Sequence, residues 1–337
     1  MPLVSARAGT LFGASDKFIV EQLNVSYAGV TSLDVALSRT YDLTSTFLLV
    51  SHTQTDFARS STITARFLNA STVRLESATT DTLATVTLYI VSIPGCVVQE
   101  VTGTITGTSL TSTISAVDLS RTFVTGNFRA DGGGFGQANQ LFTVFDLPTS
   151  TSVSAARLSS ADNAFFVAYV VQLPVGCSVE RVPFTIFTFD GGAKNVTISS
   201  VNLATSFIAV TAHANSANID DNMVRAQFNS ATQIRLQSGS SSVNRPGVAF
   251  IVDLAGVVPA TVTALSSGSF TGSSFTHSLT SVPSSNAFVI GSAWTTANQY
   301  PSTRLRYRIS DDKTDLVIER TGTSNAVNEN CFVVNLG

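Results

Sequence analysis

The stretch Tyr169-Val-Val-Gln-Leu173 runs aromatic, β-branched, Val, polar, aliphatic, and the chain repeats that pattern three more times. The other copies are Tyr89-Ile-Val-Ser-Ile93, Phe250-Ile-Val-Asp-Leu254 and Phe332-Val-Val-Asn-Leu336. Successive aromatics stand 80, 81 and 82 residues apart. One copy would be a generic strand, but four at near-constant spacing mark tandem units of about eighty residues.

A second anchor lies earlier in each unit: Thr46-Phe-Leu-Leu-Val50, Thr122-Phe-Val-Thr-Gly126, Ser206-Phe-Ile-Ala-Val210 and Ala287-Phe-Val-Ile-Gly291. Between the anchors comes a short strand with Arg-Leu, as Val73-Arg-Leu75, Ala156-Arg-Leu158 and Ile234-Arg-Leu236, which the fourth unit replaces by Val317-Ile-Glu319. The aromatics Phe47, Tyr89, Phe123, Tyr169, Phe207, Phe250, Phe288 and Phe332 are therefore the expected core of the repeat.

Around these anchors Val, Ile, Thr, Phe and Tyr dominate, and segments such as Thr62-Ile-Thr-Ala-Arg-Phe67 alternate with period two. Ser, Asn, Gly and Asp clusters interrupt every eight to twelve residues, and no sustained 3.6-residue period appears. The expected fold is all-β, four tandem antiparallel β-sandwich modules. The units are placed at 15–94, 95–174, 175–256 and 257–337, behind an N-terminal arm at 1–14. The junctions Pro94-Gly95-Cys96, Pro174-Val-Gly-Cys177 and Ala255-Gly256 are short, so the modules are expected to be fixed relative to one another.

Charged residues make up 12% of the 337, about half the usual share of ~25%. Ser, Thr, Asn and Gln must cover the surface, which leaves little charge to oppose self-association. The net charge of -3, with no clustered Lys and Arg beyond Arg304, Arg306 and Arg308, gives no electrostatic footprint for nucleic acid. Those three arginines alternate and would share one face of a strand, read as a solvated or intersubunit face. No signal peptide and no membrane span are read from the sequence.

The sequence carries no recognisable catalytic or metal-binding pattern. His52, His213 and His277 read as loop histidines without a neighbouring ligand set. Asp131-Gly-Gly-Gly-Phe-Gly136 precedes a strand rather than a helix, and a phosphate loop needs a helix. The pairs Asp220/Asp221 and Asp311/Asp312 sit in separate units and read as turn residues. Cys96, Cys177 and Cys331 have no Cys-x-x-Cys spacing and are expected as buried thiols. The sequons at Asn24, Asn69 and Asn195 carry little weight without a secretory signal. No enzyme, cofactor or metal is expected.

Taken together, the Ser/Thr-rich repeated sandwiches resemble structural proteins of tailed-bacteriophage virions, assembled in the host cytoplasm. The segment from the Phe207 anchor, SFIAVTAHANSANIDDNMVRAQFNSATQIRLQS, running on to AFIVDL, is also similar to the small six-stranded H-type lectin sandwich, whose members often form trimers and bind sugar. The closing Trp of that family is missing here. The resemblance implies a virion location, a non-enzymatic decoration, cement, collar or tail role, a homo-oligomer (a trimer by analogy) and contacts with other virion proteins. A glycan-binding, host-receptor module is the alternative, with Trp294 and Tyr300 as its candidate contacts.

Overall fold

In the computed structural model, residues 18–54, 62–80, 83–131, 141–160, 162–216, 218, 220–239, 241–257, 259–279, 286–295, 304–323 and 326–337 are described. The arm at 1–14, most of the Gly-rich segment and Tyr300 lie outside them. The protein is all-β, and its described residues form four modules of six strands, each a pair of three-stranded antiparallel sheets.

Module 1 comprises β1 (Ile19–Ala28), β2 (Ser32–Ala36), β3 (Thr46–Gln54), β4 (Thr64–Asn69), β5 (Thr72–Glu76) and β6 (Leu83–Ser92). Its long strands form the sheet β1-β6-β3 and its short strands the sheet β2-β5-β4. Module 2 repeats this with β7 (Val97–Ile105), β8 (Ser109–Thr113), β9 (Thr122–Asp131), β10 (Val144–Thr149), β11 (Ser152–Ala156) and β12 (Asn163–Gln172). Module 3 uses β13 (Ser178–Ile186), β14 (Ala193–Thr197), β15 (Ser206–Ala212), β16 (Arg225–Ser230), β17 (Gln233–Gln237) and β18 (Arg245–Asp253). Module 4 uses β19 (Thr261–Ser266), β20 (Ser274–Ser278), β21 (Ala287–Thr295), β22 (Arg306–Ile309), β23 (Asp315–Glu319) and β24 (Val327–Asn335). The sheet orders are identical in all four.

Each closing strand is central in its sheet, which is why it reads as a near-continuous apolar run. Val167 to Val171 are all buried, as are Leu88 to Val91. The outer short strands alternate instead, as in Ser32–Ala36, where Leu33 and Val35 turn inward.

The modules close into a ring. The fourth strand of each module is an edge strand, whose unpaired N–H and C=O groups would template further pairing if left open. Here each is covered by the next module. The Ala65 N–H donates to Asn127 Oδ1 (2.8 Å), Phe145 to Thr211 Oγ1 (3.1 Å), Ala226 to Ser292 Oγ (3.0 Å) and Tyr307 to Ser51 Oγ (3.1 Å). Each side chain also donates back to the same residue's carbonyl. All four acceptors stand four residues after the anchor phenylalanine. The last bond returns from module 4 to module 1, so a head-to-tail contact closes after four steps.

The anchor phenylalanines meet on the ring axis. Phe47–Phe123, Phe123–Phe207, Phe207–Phe288 and Phe288–Phe47 centroids are 5.9, 5.8, 6.3 and 6.4 Å apart, with rings at 83–87°. This edge-to-face arrangement sets each ring's positive edge against its neighbour's negative face. The closing-strand aromatics lie at the seams. Tyr89 meets Tyr307 and Ile309 of module 4, Tyr169 packs edge-on against Phe67 of module 1, and Phe332 does so against Phe228 of module 3. These rings are thus buried between modules.

Alternate modules match more closely than adjacent ones. At the position three after the anchor, modules 1 and 3 have Val50 and Val210, while modules 2 and 4 have Gly126 and Gly291. On the fourth strand, modules 1 and 3 have Ala65 and Ala226, where modules 2 and 4 have Phe145 and Tyr307. The aromatic ring lies over the glycine: a Cβ on Gly126 would come within 2.9 Å of Phe145, and one on Gly291 within 2.5 Å of Tyr307. Large and small residues have exchanged places across the same contact.

Strand register shifts the Arg-Leu alignment in two units, and the fourth copy is Leu316-Val-Ile318 rather than Val317-Ile-Glu319. Strand register matches Arg74 and Arg235 with Ser154, not with Arg157. Arg157 lies three residues on, buried, and donates to the carbonyls of Gly107 and Ile105. Its true counterpart is Arg320, which donates in the same way to Gly272 and Phe270.

Candidate functional site

The third strands of all four modules line a cavity on the ring axis of about 280 Å³. Leu49, Thr125, Ala209 and Ile290, two residues beyond the phenylalanines, face it, and the small Ala209 and Thr125 leave it unfilled. Its basic residues, among those described, are His52 and Arg304. Arg304 lies over the faces of Phe128 and Phe142 of module 2, 5.6 and 5.4 Å from their centroids. Among the described lining residues there is no carboxylate.

The histidines are not in exposed loops. His52 lies in β3 and His213 just after β15, and both are buried. Burial, and then the Arg304 charge, lowers the His52 pKa to about 3. Burial lowers that of His213 to about 4, against a hydrogen bond to the Ala156 backbone that favours the charged form. Both are neutral when folded at pH 7. As pH falls below about 6.5 the unfolded chain takes up protons that the native rings refuse, so stability declines towards pH 4. Each ring adds a slope of up to about 1.4 kcal/mol per pH unit over that window. Unfolding by urea at pH 7 and pH 5 should show the loss, and His52→Gln should reduce it.

The other acids and bases flagged by sequence mostly hold structure. Asp221 is buried against Arg245 at 2.8 Å. Asp312 accepts from Ser310 Oγ and the Thr314 N–H, which hold its carboxyl below the usual range, as befits a turn residue. Arg306 and Arg308 share Glu319, and Arg306 also reaches Thr87 and Asn24 across the seam to module 1. This arginine face is therefore an intermodule contact. Cys96, Cys177 and Cys331 are buried free thiols.

Of the two candidate sugar contacts, Trp294 is half-buried near the end of β21, beside Gly239 of module 3, where an added Cβ would stand 3.2 Å from the indole. Sequence reading missed Phe189. It is 81% exposed, stacked on Phe187 at 5.0 Å with the planes 8° apart, and Lys194 lies 5.2 Å over the ring of Phe187, the inner member of that pair. An isolated exposed phenylalanine in a Thr-Phe-Asp turn has no periodic signal to betray it.

A second cluster was also hidden. His277 of β20 bonds Glu329 of β24 at 2.9 Å, and Cys331 joins them, with one ligand atom from each within 4.8 Å of the others. The acid and the thiol lie 52 and 54 residues beyond the histidine in sequence, so the expectation that no acid or thiol neighbours a histidine is overturned. No protein-family model matches the chain, and no curated protein matches it in sequence. No helix among the described residues is long and apolar enough to cross a membrane.

Proposed function

We propose that this chain is a non-enzymatic structural component of a bacteriophage particle, a head decoration, cement, collar or tail protein making permanent contacts. The observation that carries this reading is the closed ring. The repeated aromatics and the +4 side chains are engaged in holding four modules in one fixed arrangement, which suits a rigid platform better than a mobile catalyst. Strand register puts all three junctions at the same end of the ring. The apolar residues Val97, Leu119, Val175 and Leu203 are exposed at that end. It is the face we assign to assembly with other particle proteins or with further copies of the chain.

The second reading, a glycan-binding module for host attachment, rests on the exposed Phe187–Phe189 stack, since an open aromatic face suits the apolar face of a sugar ring. Electron microscopy of the purified protein mixed with isolated virions, and separately with host cell surface, distinguishes the two. Regular attachment to capsid or tail supports the structural role. Attachment to bacterial polysaccharide alone, lost in Phe189→Ala, replaces it with the lectin role.

A further inference from the structure

The repeat itself supplies three internal controls for the cluster in module 4. Strand register equates His277 with Val35, Ser112 and Val196. Glu329 takes the place of Val86, Phe166 and Gly247, and Cys331 that of Leu88, Ala168 and Ala249. The sister modules fill these interior positions with small or apolar side chains. Module 4 departs at all three at once, and each departure is a residue type that ligates transition metals.

The surroundings agree. Glu329 and Cys331 are fully buried, alternate on one strand and so face the same way, into the sandwich, where β20 of the opposite sheet brings His277. Glu329 Oε1 accepts from the Ser267 N–H (2.8 Å) and contacts His277 Nε2, while Oε2 makes no hydrogen bond of ordinary geometry and the Cys331 thiol interacts with the same carboxylate. Arg225 of module 3 lies within its field and makes no hydrogen bond to it. A buried carboxylate oxygen left without an ordinary hydrogen bond is costly, and a cation is the group that would satisfy it.

We propose that His277, Glu329 and Cys331 form a binding site for one divalent transition-metal ion of the zinc class. Imidazole, carboxylate and thiolate together match the borderline-soft preference of that ion, and two anionic ligands neutralise it in a dry interior. From the usual bond lengths, ligand atoms around a tetrahedral ion stand roughly 3.3–3.8 Å apart, so His277 and Glu329, now 2.9 Å apart, must part by about 0.5 Å while the thiol closes by no more than about 1 Å. Binding forms a metal–sulfur bond, and the thiol proton leaves to solvent. The site clamps one sheet of module 4 to the other. It ties β24, which bears the Phe332 seam with module 3, to the outer sheet.

The test is titration of the chelator-treated, reduced full-length protein with cobalt(II), followed by absorption. One equivalent per chain is expected, with a thiolate-to-cobalt charge-transfer band in the near ultraviolet that zinc abolishes by displacement. Cys331→Ala and His277→Val install residues that the sister modules already carry, so both should fold, as far-ultraviolet circular dichroism and thermal unfolding will show. Cys331→Ala should remove the band. His277→Val should weaken binding by more than the roughly 10–100-fold that outer-shell changes cost. Cys96→Ala and Cys177→Ala should leave the band intact. A wild-type protein without the band, or a band that survives in Cys331→Ala, overturns the proposal. Should the alanine variant not fold, Cys331→Ser keeps the size of the side chain, and a band that survives in it overturns the proposal equally.

Discussion

Phe123→Ala is expected to lower the stability of the ring by about 3–5 kcal/mol. Phe123 is 2% exposed and makes edge-to-face contacts with both Phe47 and Phe207. Each such contact is worth about 0.5–1.5 kcal/mol beyond the area it buries. Collapse cannot close the gap easily, because each neighbouring ring is held by a strand whose edge bonds fix it to another module. The cavity therefore persists, and its walls lose their contacts. Urea unfolding should show a lower midpoint with an unchanged dependence on denaturant. Phe189→Ala, which removes an equally large but exposed ring, should change stability by no more than about 0.5 kcal/mol. Equal effects from the two substitutions would mean that the phenylalanine tetrad does not hold the modules together.

The second large effect concerns the exchange of large and small residues between alternate modules. Phe145 is 1% exposed and lies over Gly126, so Phe145→Ala alone should cost about 3–5 kcal/mol. Gly126→Val alone drives a side chain into that ring and should cost about 1–3 kcal/mol or more. The double variant Gly126→Val/Phe145→Ala recreates the pairing that Val50 and Ala65 make in module 1 and Val210 and Ala226 in module 3. It should cost at least about 1 kcal/mol less than the sum of the two. Recovery will be incomplete, since a Cβ at residue 126 also comes within 2.6 Å of the Val167 carbonyl. Additive single effects would show that the two positions do not share one packing space.

How much of this was legible from sequence depends on the range of the interaction. The strands at Tyr89, Tyr169, Phe250 and Phe332 were readable because central strands are uniformly apolar and the period recurs four times. Ring closure was not, because the bonds that make it, such as Ser51 with Tyr307, join residues 256 positions apart and follow no local pattern. The Arg157 misalignment arose because β11 carries only Val153 and the small Ala155 as inward residues, leaving Arg-Leu as the most conspicuous feature nearby. Register, not residue type, decides which arginine corresponds. His277 read as isolated for the same reason: Glu329 and Cys331 reach it through the pairing of two sheets. Only a comparison of the units at matched register, with valine against histidine and valine against glutamate, would have revealed the substitution.

The fourth seam has a kinetic consequence. Three of the four intermodule contacts join consecutive units and can form as each emerges from the ribosome. The last joins Gln22 to Ile309, 287 residues later, and must wait until module 4 has been made. Until then the docking face of module 1, with Tyr89, Leu49 and Gln22, has no cover. Closing so long a loop adds little to the equilibrium cost, because that cost grows only logarithmically with length. The exposure lasts while modules 2 to 4 are made, roughly 10–60 seconds at typical speeds. A nascent chain of this design is most vulnerable to pairing with a neighbour on the same messenger just before module 4 appears.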